Sequence, residues 1–265
     1  MGSRRTSALL ASAVVVLSYL LVPIGPAAAN HGPGAANCPT DMEIALVVLL
    51  PSGEPVFAEE GTSAPPITYG DRILVGGELS ANQTTDPGAD VSDEAVDVKA
   101  TDVGTSLVHT YPATTGNGED AGIFAIGLDP PLVPFASARW IGTWTGAAST
   151  PCDGVTETSD NSIFLGVRAR VAIHRSNVNP DAGEAFRITG GVAPNHAGKL
   201  VTLQWRREGG DTLFSTVLTL DSSSRYSKRF VSRTPGARWL FRTLYPRQDA
   251  EHLANRTRWV RVTIG

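Results

Sequence analysis

Beyond its first 29 residues, no window of this chain keeps an apolar residue at the 3.6-position period of an amphipathic helix. What recurs instead is a short stretch rich in β-branched and aromatic residues, bounded by Gly, Pro, Asn or Asp. One series of such stretches covers 41–50, 73–79, 96–101, 106–111, 123–128, 139–145 and 162–168. A second covers 170–174, 185–190, 201–207, 213–220, 225–230, 239–245 and 257–264. Seven short strands per unit, spaced roughly 8–15 residues apart, predict an all-β chain built as two tandem antiparallel β-sandwiches. The apolar content of 42% is enough for two cores, and 27 Gly with 18 Pro stay below the share that marks a low-complexity chain.

The two series also repeat each other. The run from Gly70 to Leu79 (GDRILVGGEL) aligns with the run from Gly183 to Val192 (GEAFRITGGV), and Ala138-Arg139-Trp140-Ile141 aligns with Ala237-Arg238-Trp239-Leu240. A period near 100 residues means tandem domains, because solenoid repeats run 20–50. The second unit resembles the immunoglobulin-like modules of secreted actinobacterial proteins. The resemblance rests on Ala182 to Pro194, Ala197 to Gln204, Ser224 to Ser227 and Trp239 to Arg242 with Pro246 beyond, and it covers essentially all of 170–265. The first unit shares it through the two repeated segments, while its start, Cys38 to Ala58, departs from the pattern. The resemblance implies two immunoglobulin-like sandwiches and a non-catalytic role. It fixes the fold more closely than the activity. Only Lys99, Lys199 and Lys228 are lysines, an Arg-rich habit that fits such an origin.

Residues 1–29 read as a secretory signal. Arg4 and Arg5 precede an apolar run from Ala8 to Val22, a Pro23-Ile24-Gly25-Pro26 break and an Ala27-Ala28-Ala29 cleavage site. The expected mature chain begins at Asn30, carries no membrane span and is extracellular, with an acidic domain over 30–168 and a basic domain over 169–265. Cys38 and Cys152 are the only cysteines, and in an oxidising compartment they are predicted to pair. That bond would close a loop long enough to contribute on the order of 4–5 kcal/mol by chain entropy.

Divided at Gly166, the mature chain sets three basic residues (Arg72, Lys99, Arg139) against 19 acidic ones in its first part, and 17 basic against seven acidic in its second. Such a split creates a strong field over each half. It can let the two domains attract each other, or let the Arg-rich one hold an anionic envelope polymer. Nucleic acid is not expected as a partner, because the charge comes without a recognition motif. Strand alternation places Val201, Leu203, Trp205, Trp239, Phe241, Val260, Val262 and Ile264 inward. It places Arg206, Arg242, Arg261 and Trp259 together on the outer face, as the candidate ligand-binding residues. Guanidinium groups take phosphate or carboxylate bidentately, and Trp stacks on a sugar or a cation.

No catalytic residue, metal ligand or cofactor is predicted. The chain lacks G-x-S-x-G, S-x-x-K, a P-loop and H-E-x-x-H. His31, His109, His174, His196 and His252 read as scattered, with no pair at metal-ligand spacing. Asp86, Asp90, Asp93, Glu94, Asp97 and Asp102 crowd 86–102 without the spacing of a calcium loop, and read as a solvated acidic segment. The expectation is a secreted non-enzymatic binding or structural protein at the cell envelope, holding an anionic polymer or another extracellular protein. The alternatives are a secreted enzyme or an accessory subunit of a separate protein. A copper-dependent polysaccharide oxygenase needs His at the mature N-terminus, where Asn30 is expected. A glycosidase needs two carboxylates about 5–9.5 Å apart.

Overall fold

Alternation of buried and exposed side chains is clearest in β5 (Ala95–Asp102), where Val96, Val98 and Ala100 are buried and the residues between them are not. The structure, a computed structural model, describes residues 42–58, 62–81, 95–116, 122–128, 132–145, 156–158 and 162–265. Segment 1–29, His31, both cysteines and Asp86, Asp90, Asp93 and Glu94 lie outside the described residues. All regular structure among those described is strand.

The first sandwich faces two sheets against each other. One has the order β2 (Pro55–Phe57), β1 (Met42–Leu49), β4 (Leu74–Ala81), β7 (Ile123–Ile126). The other runs β3 (Ser63–Thr68), β10 (Ile163–Arg168), β8 (Ala138–Thr145), β5, β6 (Val108–Thr114), with β9 (Thr156–Thr158) also beside β8. Between them lie Leu46, Val48, Val75, Leu79, Val98, Phe124, Trp140 and Leu165. The second sandwich sets β11 (Arg170–Arg175), β12 (Ala185–Ala193), β15 (Arg225–Val231) against β14 (Phe214–Thr219), β13 (Leu200–Arg207), β16 (Arg238–Tyr245). On the far side of β16 pair β17 (Asn255–Arg256) and β18 (Val260–Thr263). Phe186, Ile188, Leu203, Phe241, Val262 and Ile264 fill this core.

Matching strands occupy matching places. The β1-β4-β7 order of the first sandwich returns as β11-β12-β15, and β6-β5-β8-β10 returns as β14-β13-β16-β18. Both are therefore immunoglobulin-like, with all pairs antiparallel except β3 with β10. The aligned repeats sit on equivalent strands. Gly70 and Gly183 both turn the chain at positive φ just ahead of β4 and β12. Gly77 and Gly190 both lie against a neighbouring carbonyl, of Ala45 and of Ala172, so closely that a Cβ would stand 2.0 and 2.1 Å from it.

Two features depart from the sequence expectation. Strands β2, β3 and β9 lie outside the two expected series. Pro65 and Pro66 fit in β3 because it is an edge strand, where a missing donor faces no ladder. The strand expected over 257–264 is broken. Leu244 pairs with Arg256 but Phe241 with Val260, so one extra residue is taken up at 257–259.

Only Ala169 separates β10 from β11, and it is fully buried. The connection from β16 to β17 reaches back over the first sandwich. Leu253 donates its N–H to Val167 and accepts from Ala169, and Ser137 N–H donates to the Glu251 carbonyl. Leu253 packs over Gly166, where a Cβ would meet it at 2.7 Å. Among the described residues, the one ion pair between the sandwiches is Arg170 with Asp71, at 3.3 Å.

Tyr226 is buried against Gly190, and burial pushes its hydroxyl up to about 12. A raised folded value favours the protonated, folded form. The stability it contributes is complete below the ordinary value of 10.0 and is lost as pH rises towards about 12. Alkaline melts should therefore show a decline over that window that is shallower in Tyr226→Phe. Equal slopes in the two proteins would refute the assignment.

Candidate functional site

The outer face of the β14-β13-β16-β18 sheet is built by three registered rows. Arg206, Leu240 and Arg261 lie abreast, Gln204 pairs with Arg242, and Thr202, Leu244 and Arg256 follow. Their outward direction follows from their neighbours. Leu203 and Phe241 point into the core, so Gln204, Arg206, Leu240 and Arg242 must face away from it.

Trp259 lies in the interruption between β17 and β18, and its indole gathers two guanidinium groups. The Arg242 Cζ is 4.4 Å from the ring centroid and that of Arg206 is 5.1 Å away. Each such contact contributes about 0.5–1 kcal/mol when exposed and up to ~2 when desolvated. Arg242 Nε also donates to Gln204 Oε1 at 2.8 Å, while Arg206 Nε is buried with no hydrogen-bond partner among the described residues. Burial, then the charges of Arg256 and Arg206, lower the Arg242 value, yet a guanidinium remains cationic at neutral pH. Among the described residues no carboxylate pairs with Arg206, Arg242 or Arg256.

Of the four residues singled out from sequence, Arg206, Arg242 and Trp259 form one contact group. Arg261 shares the face, but Glu208, in the turn after β13, binds it in a short ion pair and also sits 3.9 Å from Arg238. Its charge is thus already met. Arg256, which sequence reasoning passes over, supplies a guanidinium near Arg242 instead, with no carboxylate partner among the described residues. Regular alternation carried back from Val262 and Val260 would place Arg256 inward, and the extra residue at 257–259 is what turns it to the outer face.

Other polar groups are committed to structure. Asp102 is buried at the end of β5, with His109 Nε2 3.2 Å from its Oδ2. A groove on the β11-β12-β15 side is lined by His174, Thr189, Asp221, Arg225 and Ser227. Its carboxylate accepts the backbone N–H groups of Ser223 and Arg225, so it holds a turn. The histidines are less scattered than their spacing implies. His196 and His252 come together around Asp249, with ring centroids 4.9 Å apart.

No protein-family model matches the chain. No curated protein matches it either. Among solved structures, the D0-D1 domain of intimin matches at 12% identity over 77% of this chain and 95% of its own, with a TM-score of 0.28. The ectodomain of the teleost fish polymeric Ig receptor matches at 9% identity over 78% and 95%, with a TM-score of 0.26.

Proposed function

We propose that this chain is a secreted, non-catalytic binding module of the cell envelope, whose second sandwich holds an anionic polymer on the face around Trp259. The observation that supports this reading is the pair of guanidinium groups stacked on one indole with no carboxylate partner among the described residues. Like charges held together in this way favour a ligand that brings the counter-charge. Phosphate or carboxylate oxygens accept from a planar guanidinium in parallel pairs, and the Trp259 ring holds both guanidinium groups in place for them.

The charge split adds direction. The acidic half repels a polyanion and the basic half attracts it, so the polymer meets the molecule second sandwich first. Mutual neutralisation of the two domains is the competing use of that split. Against it stands the single ion pair between the sandwiches among the described residues, Arg170 with Asp71.

Retention of the full chain on immobilised polyphosphate and on immobilised polygalacturonate, eluted with rising NaCl, tests the reading. Wild type should be retained at low salt and released as the screening length falls from about 10 Å at 0.1 M to ~3 Å at 1 M. Arg206→Gln and Arg242→Gln should each weaken binding about tenfold, from ~1.5 kcal/mol per charge-assisted hydrogen bond. Arg261→Gln, whose partner is Glu208, should change it little. Elution of the Arg206→Gln/Arg242→Gln double variant at the wild-type salt concentration would overturn the assignment of the face. Passage of wild type through both columns at low salt would overturn the polyanion reading altogether.

A further inference from the structure

Where the second sandwich leans on the first, two imidazoles and a carboxylate converge. His196 stands in the turn between β12 and β13, and Asp249 and His252 stand in the connection between β16 and β17. The side chains of His196 and His252 are 7% and 1% exposed. One ligand atom from each of the three residues lies within 4.8 Å of the others. Asp249 Oδ2 is 3.6 Å from His196 Nδ1, and its Oδ1 is 3.7 Å from His252 Nδ1. Both distances exceed a hydrogen bond. They approach the edge of a tetrahedron, about 3.3–3.5 Å, that bonds of 2.0–2.2 Å to a shared ion would produce.

The surroundings orient each donor. His252 Nε2 is 2.9 Å from the Phe135 carbonyl, which can only accept, so Nε2 carries a proton and Nδ1 is the ring atom left to meet an ion. That is the outer-shell arrangement of a metal-ligating histidine. His252 Nδ1 is buried with no hydrogen-bond partner among the described residues, as is His196 Nε2. Asp249 is fixed by the Tyr245 hydroxyl, which donates to Oδ2 at 3.2 Å, and by the backbone N–H of His252, which donates to Oδ1 at 2.8 Å. The His196 ring is stacked on Tyr245, with centroids 4.8 Å apart. A turn and a connection that share no ladder therefore bring two imidazole rings to the two oxygens of one carboxylate, with ligand atoms of all three residues within 4.8 Å of one another.

We propose that His196, Asp249 and His252 bind a divalent transition-metal ion, with zinc as the best fit, and that this ion staples the junction between the two sandwiches. Two imidazoles with one carboxylate is a zinc-type donor set. Calcium and magnesium require six or more oxygens, which the three residues do not supply. The staple acts on the junction because the residues beside its ligands make the cross-domain contacts. Glu251 accepts from Ser137, Leu253 bonds to Val167 and Ala169, and His252 itself bonds to Phe135. A bound ion would lock that connection to the turn carrying His196.

The test uses the full chain with no added histidine tag, stripped with a chelator and titrated with Zn²⁺ by calorimetry, with a thermal melt at each metal concentration. The expected result is one saturable Zn²⁺ site and a raised melting temperature that Ca²⁺ and Mg²⁺ do not reproduce. His196→Gln and His252→Gln should each weaken Zn²⁺ binding by at least about 100-fold. Asp249→Asn keeps one side-chain oxygen to accept the His252 N–H and turns its amide towards the Tyr245 hydroxyl, and serves should the buried histidine variants fail to fold. His174→Gln, an exposed histidine of the same sandwich, should bind as wild type does. Absence of a saturable site, wild-type affinity in Asp249→Asn, or loss of binding in His174→Gln would each overturn the proposal.

Discussion

Gly190→Ala is expected to destabilise the second sandwich by about 3 kcal/mol or more, the upper range for forcing an atom into a packed core. For a domain of this size that lowers the melting transition by at least about 12 °C. The Cβ would stand 2.1 Å from the Ala172 carbonyl oxygen and 2.3 Å from the Tyr226 hydroxyl. Neither can give way cheaply. The carbonyl belongs to the β11–β12 ladder, and the Tyr226 hydroxyl crosses above Gly190 to donate to that same carbonyl at 3.1 Å, beside Thr243. Alanine must either part β11 from β12 or push Tyr226 off both partners. Gly191→Ala is the matched comparison with a smaller expected loss, because its Cβ would stand 3.0 Å from the Ser224 carbonyl oxygen, which need move only slightly. Gly77→Ala should act likewise on the first sandwich, against Ala45 and Phe124. Calorimetry decides it, and a Gly190→Ala transition within about 2 °C of wild type would refute the packing account.

Gly77 and Gly190 are also legible in the sequence. The aligned Gly-Gly pairs mark equivalent strands by themselves, because a strand with no side chain at one position signals close backbone approach. Alternation correctly separates the inward Leu203, Phe241 and Val262 from the outward Arg206 and Arg242. Strand β3 is hidden because Pro65 and Pro66 argue against a strand everywhere except at an edge, and edges are fixed by tertiary pairing. Arg261 points outward as expected, but its counter-charge comes from a turn on another strand, and periodicity says nothing about that. The cluster of His196, Asp249 and His252 is illegible for the same reason. Metal-ligand spacing finds donors carried on one local element, whereas here two connections meet only because β13 and β16 are neighbours in the sheet.

Phe241→Ala is expected to cost about 3–5 kcal/mol, the usual range for emptying a fully buried aromatic site. Its ring is 1% exposed and meets those of Phe186 and Phe230 edge-on, with centroids 5.9 and 5.0 Å away. Removing it opens a cavity against two facing aromatics of the β11-β12-β15 sheet and ends their contact with β16 across the sandwich. Phe241 also lies between Leu240 and Arg242 in β16, so its burial is what turns Arg242 towards Trp259. Core and face should therefore separate experimentally. Phe241→Ala lowers the second-sandwich transition by at least about 12 °C. The Arg206→Gln/Arg242→Gln variant leaves that transition within a few degrees while abolishing retention on the polyanion columns. If Phe241→Ala instead melted as wild type does, the inward assignment of β16 would fail, and the outward Arg242 with it. A double arginine variant that unfolded would show that the stack on Trp259 serves stability before it serves any ligand.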